Sequence, residues 1–379
     1  MIELADIMRQ FAPLYLNEFK HRIPGIHKKA IRDIISCRTS QMGGKVYYCG
    51  RCQTFHYSYH SCGNRNCNKC QNELAGKWLE RADSLLLPLD HFMVTFTLPQ
   101  QLRALARSHQ KLIYHLLMKC AADALQTLAR DSKYVGGLLA MMAVLHTWAR
   151  DLSYHPHAHF IVASGGLLKK ENVWLPSRPG YLVPVKALST IFRAKFRDAL
   201  QKESPNMFQT IDGLTWNADW VVHSKSIGRG TYALKYLAQY IFRPAISNKR
   251  ILHLENGYVT FHYQESGTRL WKAMTLKASE FIRRYLQHVL PKGFVKVRYY
   301  GLYSRRHRHI LQQLRKQMGE AHTRYHETVQ EHNHVKLMTC PRCGAALFFW
   351  QEVPRGGYWP NGPPVTNTHA PKVPGGKYQ

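Results

Sequence analysis

Two kinds of residue in this chain carry spacing that chemistry needs: histidines at period two and cysteines in C-x2-C pairs. The histidines lie in Tyr154-His155-Pro156-His157-Ala158-His159-Phe160-Ile161-Val162. Read as a strand, this stretch puts His155, His157 and His159 on one face and Pro156, Ala158 and Phe160 on the other. Neutral imidazole is a common metal ligand, so such a face can hold a divalent ion open to a substrate. The cysteines fall in Cys49-Gly50-Arg51-Cys52 and in Cys62-Gly63-Asn64-Arg65-Asn66-Cys67-Asn68-Lys69-Cys70. Two knuckles across a short loop are what a tetrahedral structural Zn2+ requires, and Cys49, Cys52, Cys67 and Cys70 are the expected ligands. Cys62 and His60 are surplus donors that can replace one ligand or serve a second ion. Farther on, Cys340-Pro341-Arg342-Cys343 is half a zinc site, which His332 and His334 can complete.

A third pattern is aromatic. Tyr232, Tyr236 and Tyr240 lie four apart in a stretch that nothing breaks before Pro244, so on a helix their hydroxyls share a face. Such a stripe is either a packing edge or a row of nucleophiles.

The elements that must position these groups follow in order. Residues to about Ser36 read as helical, broken at Pro24-Gly25, with Ile7, Met8, Phe11, Leu14 and Tyr15 on one side of the first helix. Gln71–Leu87 has helical period, His91–Pro99 alternates like a buried strand, and Gln101–Arg130 reads as a long helix whose Cys120 is core. Met142–Leu152 leads into the histidine strand, which Gly165-Gly166 ends. Ala187–Lys202 reads as helix, Asp212–Val222 as strand, Gly257–Tyr263 as strand, Leu276–Leu290 as helix and Gly293–Gly301 as strand. Arg305-Arg306-His307-Arg308 opens a helix toward Val329, and the chain from Pro354 is rich in Pro and Gly and reads as disordered.

The balance of 53 basic against 23 acidic residues gives +30, an excess that favours a polyanion as partner. Twenty-one tyrosines and eight tryptophans add surfaces on which unpaired bases stack. Arg65 and Lys69 beside the knuckles, and Arg305 and Arg306, are candidate phosphate contacts. No signal peptide is visible and Gly136–Leu145 is too short to span a bilayer, so the expected location is cytoplasmic, with no membrane. Cysteines packed between Cys37 and Cys70 suit a reducing compartment and a metal better than a disulfide scaffold.

These stretches together resemble the two-tyrosine rolling-circle transposases of bacterial insertion sequences, in the group with an N-terminal zinc-binding domain. They are HUH nucleases, named for a His-hydrophobic-His strand. The resemblance rests on Cys67-Asn68-Lys69-Cys70-Gln71, Phe96-Thr97-Leu98-Pro99, His157-Ala158-His159, Lys235-Tyr236-Leu237-Ala238-Gln239-Tyr240 with Arg243-Pro244, and Val297-Arg298-Tyr299-Tyr300-Gly301, in that order. It implies an α+β fold in which an antiparallel sheet carries the histidine strand in its middle, with flanking helices and a zinc-ribbon-like module. It implies His157 and His159 as ligands of a catalytic Mg2+ or Mn2+, Tyr236 and Tyr240 as nucleophiles, and Arg243 and Arg298 as DNA contacts. His155 is a secondary ligand, and Gln239 a third-ligand candidate by analogy with single-tyrosine relatives. Ala158 departs from the bulkier residue usual between the two histidines, which should alter packing behind the strand and not the chemistry.

The expected organisation is a helical segment over 1–36, a zinc-binding domain over 37–85, the nuclease over 86–310, a helix and C-x2-C segment over 311–353, and a tail over 354–379. The implied partner is DNA, as single-stranded or hairpin transposon ends, met at the nucleoid. A replication initiator would use the same chemistry at an origin, a zinc-finger regulator would bind without nicking, and a water-using phosphodiesterase would leave no covalent adduct.

Overall fold

A computed structural model of the chain describes residues 2–71, 78, 85–229, 241, 244–265, 267–268, 270–319 and 338–356. Its elements run α1 (Leu4–Phe19), α2 (Gly25–Ser36), β1 (Gly44–Cys49), β2 (Thr54–Tyr59), β3 (Asp90–Thr97), α3 (Arg103–Ser108) and α4 (Gln110–Ala129). There follow β4 (Ala140–Trp148), β5 (Tyr154–Ala163), β6 (Gly165–Leu168), β7 (Val173–Pro176), α5 (Val185–Glu203), α6 (Pro205–Gln209) and β8 (Val222–Arg229). The rest are β9 (Ile251–Glu255), β10 (Tyr258–Gln264), β11 (Trp271–Lys277), α7 (Ala278–Leu286), β12 (Val297–Gly301), α8 (Arg308–Gln317) and β13 (Phe348–Val353). Met1–Ile35 with Gly63–Gln330 form one unit, and Ser36–Cys62 with Glu331–Gln379 another.

The larger unit is built on an antiparallel sheet of order β12-β4-β5-β3-β8, with the histidine strand β5 at its centre. Alternation along the strands sorts two apolar layers. Phe96, Leu145, Ala158 and Phe160 face one side and are buried with α4 and α5 through Tyr114, Phe192 and Phe196. Each aromatic ring so buried is worth about 1.5–3 kcal/mol. Met93, Val144 and Ile161 face the other side and pack with Leu311 and Leu314 of α8 and with Ile241. Gly301 closes β12 at φ +59°, where a Cβ would collide with the Leu139 carbonyl, so only glycine fits.

Helix starts follow chain chemistry. The Glu3 backbone N–H donates to Asp6 Oδ2 at 3.0 Å in a capping box for α1, and Pro184 precedes α5. Ile7, Met8 and Tyr15 of α1 are buried as expected, but Leu14 is 66% exposed. Pro13 lies within this helix, one position before Leu14. The long helix expected over Gln101–Arg130 is two, broken at His109 (φ −123°, ψ 48°). Asp212–Val222 is not a strand. The Asp212 side chain accepts the Leu214 N–H and caps a 3-10 turn over Gly213–Trp216, and the strand begins only at Val222. Leu276 lies within β11 instead of starting a helix, which begins at Ala278.

The smaller unit is a three-stranded antiparallel sheet, order β13-β1-β2, with Tyr48, Phe55 and Trp350 packed together. The turn from β1 to β2 carries Cys49 and Cys52. The C-x2-C segment at Cys340 leads into β13 on the same sheet, so a ribbon is completed by residues far along the chain.

Candidate metal centres and nucleic-acid site

Register decides which histidines meet. His146 of β4 pairs directly with His157 of β5, and Val144 with His159. Their ring centroids lie 5.4 Å (146–157), 4.9 Å (146–159) and 4.8 Å (157–159) apart, each pair within about 11° of perpendicular. One nitrogen from each of the three rings lies within 4.8 Å of the others. Second contacts fix the rings. His157 Nδ1 donates to the His155 carbonyl at 2.7 Å, and His159 Nδ1 lies 2.9 Å from Thr95 Oγ1, so Nε2 is the candidate ligand atom in both. Burial pulls His157 down to about 4 and His159 well below the usual imidazole range, with neighbouring positive charge adding to it. Both are then neutral at pH 7, the state a metal needs. His157 is only half-buried, which leaves one side of the centre open.

His146, absent from the expected ligands, is thus the third imidazole. His155 supplies its carbonyl and not its ring; its ring lies 5.3 Å from that of His157 and outside the group. Trp148 stacks on His146 at 4.5 Å, and Lys296 Nζ lies over Trp148 at 5.2 Å. The Lys296 amine donates to the Ile241 carbonyl at 2.7 Å and is lowered to about 7 by burial, then by Arg65. Ile241 is buried on the histidine face of the sheet. Tyr236, Gln239, Tyr240 and Arg243 lie outside the described residues, as does Tyr232.

In the smaller unit, Cys49 and Cys52 meet Cys340 and Cys343, not Cys67 and Cys70. Cys49 and Cys343 sulfurs are 3.6 Å apart and Cys340 and Cys52 sulfurs 4.0 Å. Tetrahedral zinc at 2.3 Å from each thiolate sets sulfurs about 3.8 Å apart, so the four fit the ion. Burial would raise the Cys340 thiol, but backbone N–H groups of Arg342 and Cys343 outweigh it and bring it down to about 6. His56 Nε2 is 3.3 Å from Cys340 Sγ, whereas His60 is in no ligand group. His332 and His334 lie outside the described residues. The Cys62 N–H points at Cys37 Sγ (3.5 Å); in the larger unit, Cys67 N–H and Cys70 Sγ both contact the Asn64 carbonyl, at 2.9 and 4.0 Å.

The family described as "Transposase zinc-binding domain" matches residues 7–98, and that described as "Putative transposase" matches 140–310. A "Putative transposase y4qJ" of Sinorhizobium fredii is 34% identical over 370 residues, covering 90% of this chain and 92% of the relative. The chain belongs to the insertion-sequence transposases with an N-terminal zinc-binding domain. A transposase for insertion sequence element IS801, of Pseudomonas savastanoi pv. phaseolicola, is 27% identical over 300 residues, covering 74% of the transposase described here and 71% of the relative. No solved structure matches. Among the described residues no helix is long and apolar enough to cross a membrane.

Transposases act on DNA, and the basic residues of this transposase are not equivalent as contacts for it. Arg305 and Arg306 are exposed on the turn before α8. Arg298 stacks on Phe294 at 5.1 Å and lies 3.0 Å from His115 Nδ1. Arg65 donates to the Phe294 carbonyl at 2.8 Å, and Lys69 is paired with Glu3 at 2.6 Å. The last two therefore serve the protein's own structure as well.

Proposed function

We propose that this transposase nicks and rejoins single-stranded or hairpin transposon ends by transesterification, with Tyr236 and Tyr240 as the nucleophiles. The observation that carries the reading is the group of three histidines at the centre of the sheet. His146, His157 and His159 would hold the catalytic divalent ion, which supplies Lewis-acid polarisation of the scissile phosphate. An all-imidazole set suits transition ions, which favours Mn2+ over Mg2+.

The chain's own groups do the rest. A tyrosine hydroxyl, with an ordinary pKa near 10, attacks phosphorus and loses its proton. A 5′-phosphotyrosine bond forms, the bond to the 3′ oxygen breaks, and that oxygen takes up a proton. Bond energy is conserved, so no nucleotide cofactor is consumed. Two tyrosines permit a second cut while the first end is still held. Ile241, next on the chain to Tyr240, is buried on the histidine face and its carbonyl accepts from the Lys296 amine.

Zinc is structural in this reading. Cys49, Cys52, Cys340 and Cys343 would hold one ion, and the C-x2-C knuckle of Cys67 and Cys70 keeps ligand spacing for a second. Incubation with a single-stranded terminal oligonucleotide and Mn2+ should give a covalent complex on a denaturing gel, and Tyr236→Phe with Tyr240→Phe should abolish it. Adducts that persist in the double variant would sink the assignment.

A further inference from the structure

Away from the histidines, the larger unit holds a cleft of about 400 Å³ between the end of α1, the start of α2, α3 and the end of α7. This is the size range of sites that take one small ligand. Its walls combine two chemistries. Tyr15 and Phe19 put two rings 4.9 Å apart at one side. Arg22 and Arg107 line the other sides, exposed, and no ion pair among the described residues neutralises either. His27, Gln110, Gln287 and Arg283, the last paired with Glu280, complete the polar lining. Burial, and then Arg107, lower His27 to about 4, so at neutral pH it offers one donor and one acceptor.

The cleft adjoins the chemistry through α3. Arg103 lies four residues before Arg107, one turn away on the same face and about 6 Å along the axis. Its positive charge bears on His155 and His157, while that of Arg107 bears on Tyr154 at the start of β5. Arg103 Nε is buried with no hydrogen-bond partner. Two guanidinium groups at this spacing suit successive phosphates of an extended strand, one toward the metal centre and the next toward the cleft.

We propose that this cleft is a subsite for one unstacked nucleotide of the DNA strand beside the scissile phosphate. Its base lies against Phe19 and Tyr15, its edge meets His27 and Gln110, and its phosphates meet Arg22 and Arg107. The inference deepens the nicking reading and rests on it for the strand's path. Stacking tolerates any sequence, because every base has a flat face, so the subsite would hold the strand in place and not read it.

The test uses the full chain and a single-stranded oligonucleotide carrying 5-iododeoxyuridine, with binding followed by fluorescence anisotropy across a salt series. Arg22→Gln with Arg107→Gln should flatten the plot of log affinity against log salt by about 1.4, two contacts at about 0.7 each. Arg107→Lys, which keeps its charge, should restore half of that loss when paired with Arg22→Gln. Irradiation of the wild type should place the cross-link in the peptide holding Tyr15 and Phe19, a readout that needs no variant to fold. A salt slope unchanged in the folded double variant, or cross-links confined to other peptides, would overturn the subsite. So would dTMP alone binding as tightly as the oligonucleotide, since the cleft would then be a free-nucleotide site. A flattened slope and the expected cross-link without any covalent adduct under Mn2+ would support the subsite while refuting the nicking reading.

Discussion

At the scale of single residues, the centre is defined by what holds each imidazole from behind. His157 is locked by a carbonyl of its own strand and His159 by Thr95 on the neighbouring one. A Thr95→Val change removes the second contact while keeping shape, and should weaken Mn2+ binding about 10- to 100-fold, measured by calorimetry. His146→Ala removes a donor outright and should cost at least as much; equal affinity in that variant would leave His146 a mere neighbour. His155→Ala keeps the carbonyl that orients His157 and should change affinity far less, which separates the two roles.

At the scale of elements, Ala158 is fully buried on the face opposite the histidines, paired with Phe96 on one side and Leu145 on the other. Ala158→Leu should cost about 1–3 kcal/mol by overpacking, read as a lower Tm, with metal affinity changed much less. The strand itself was legible because period two exposes a pattern in five consecutive positions. His146 was not, because Met141 to Leu145 before it are all apolar and a strand buried on both faces shows no alternation; only pairing with β5 singles it out. The knuckles were legible one by one. Their pairing was not, because spacing along the chain says how two thiolates turn and nothing of which other two they meet. The break at His109 escaped for a related reason: apolar periodicity continues through α3 and α4 although the backbone does not.

At the scale of the whole molecule, charge and burial set the response to solution conditions. His91 and His288 are both buried and both lowered to about 4, chiefly by burial. Unfolded, each takes up a proton near pH 6.5; folded, each resists until about pH 4. Between those limits the unfolded chain binds more protons, so stability falls as pH falls. The loss approaches about 1.4 kcal/mol per pH unit for each histidine. Urea melts at pH 7, 6 and 5 at fixed zinc should show midpoints falling together, and His91→Asn with His288→Asn should flatten the trend. The net charge of +30 acts through partners, making DNA affinity steeply dependent on salt.

The ribbon sheet has a temporal side. Cys52 and Cys340 stand 288 positions apart, so at about 5–20 residues per second a ribosome delivers the second knuckle roughly 15–60 s after the first. Until then the first pair can hold zinc only by half. A transcript broken before codon 340 would yield a polypeptide bearing His146, His157, His159, Tyr236 and Tyr240 yet unable to close its sulfur cage, so metal retention at this sheet reports that translation ran through the residues proposed for catalysis and beyond.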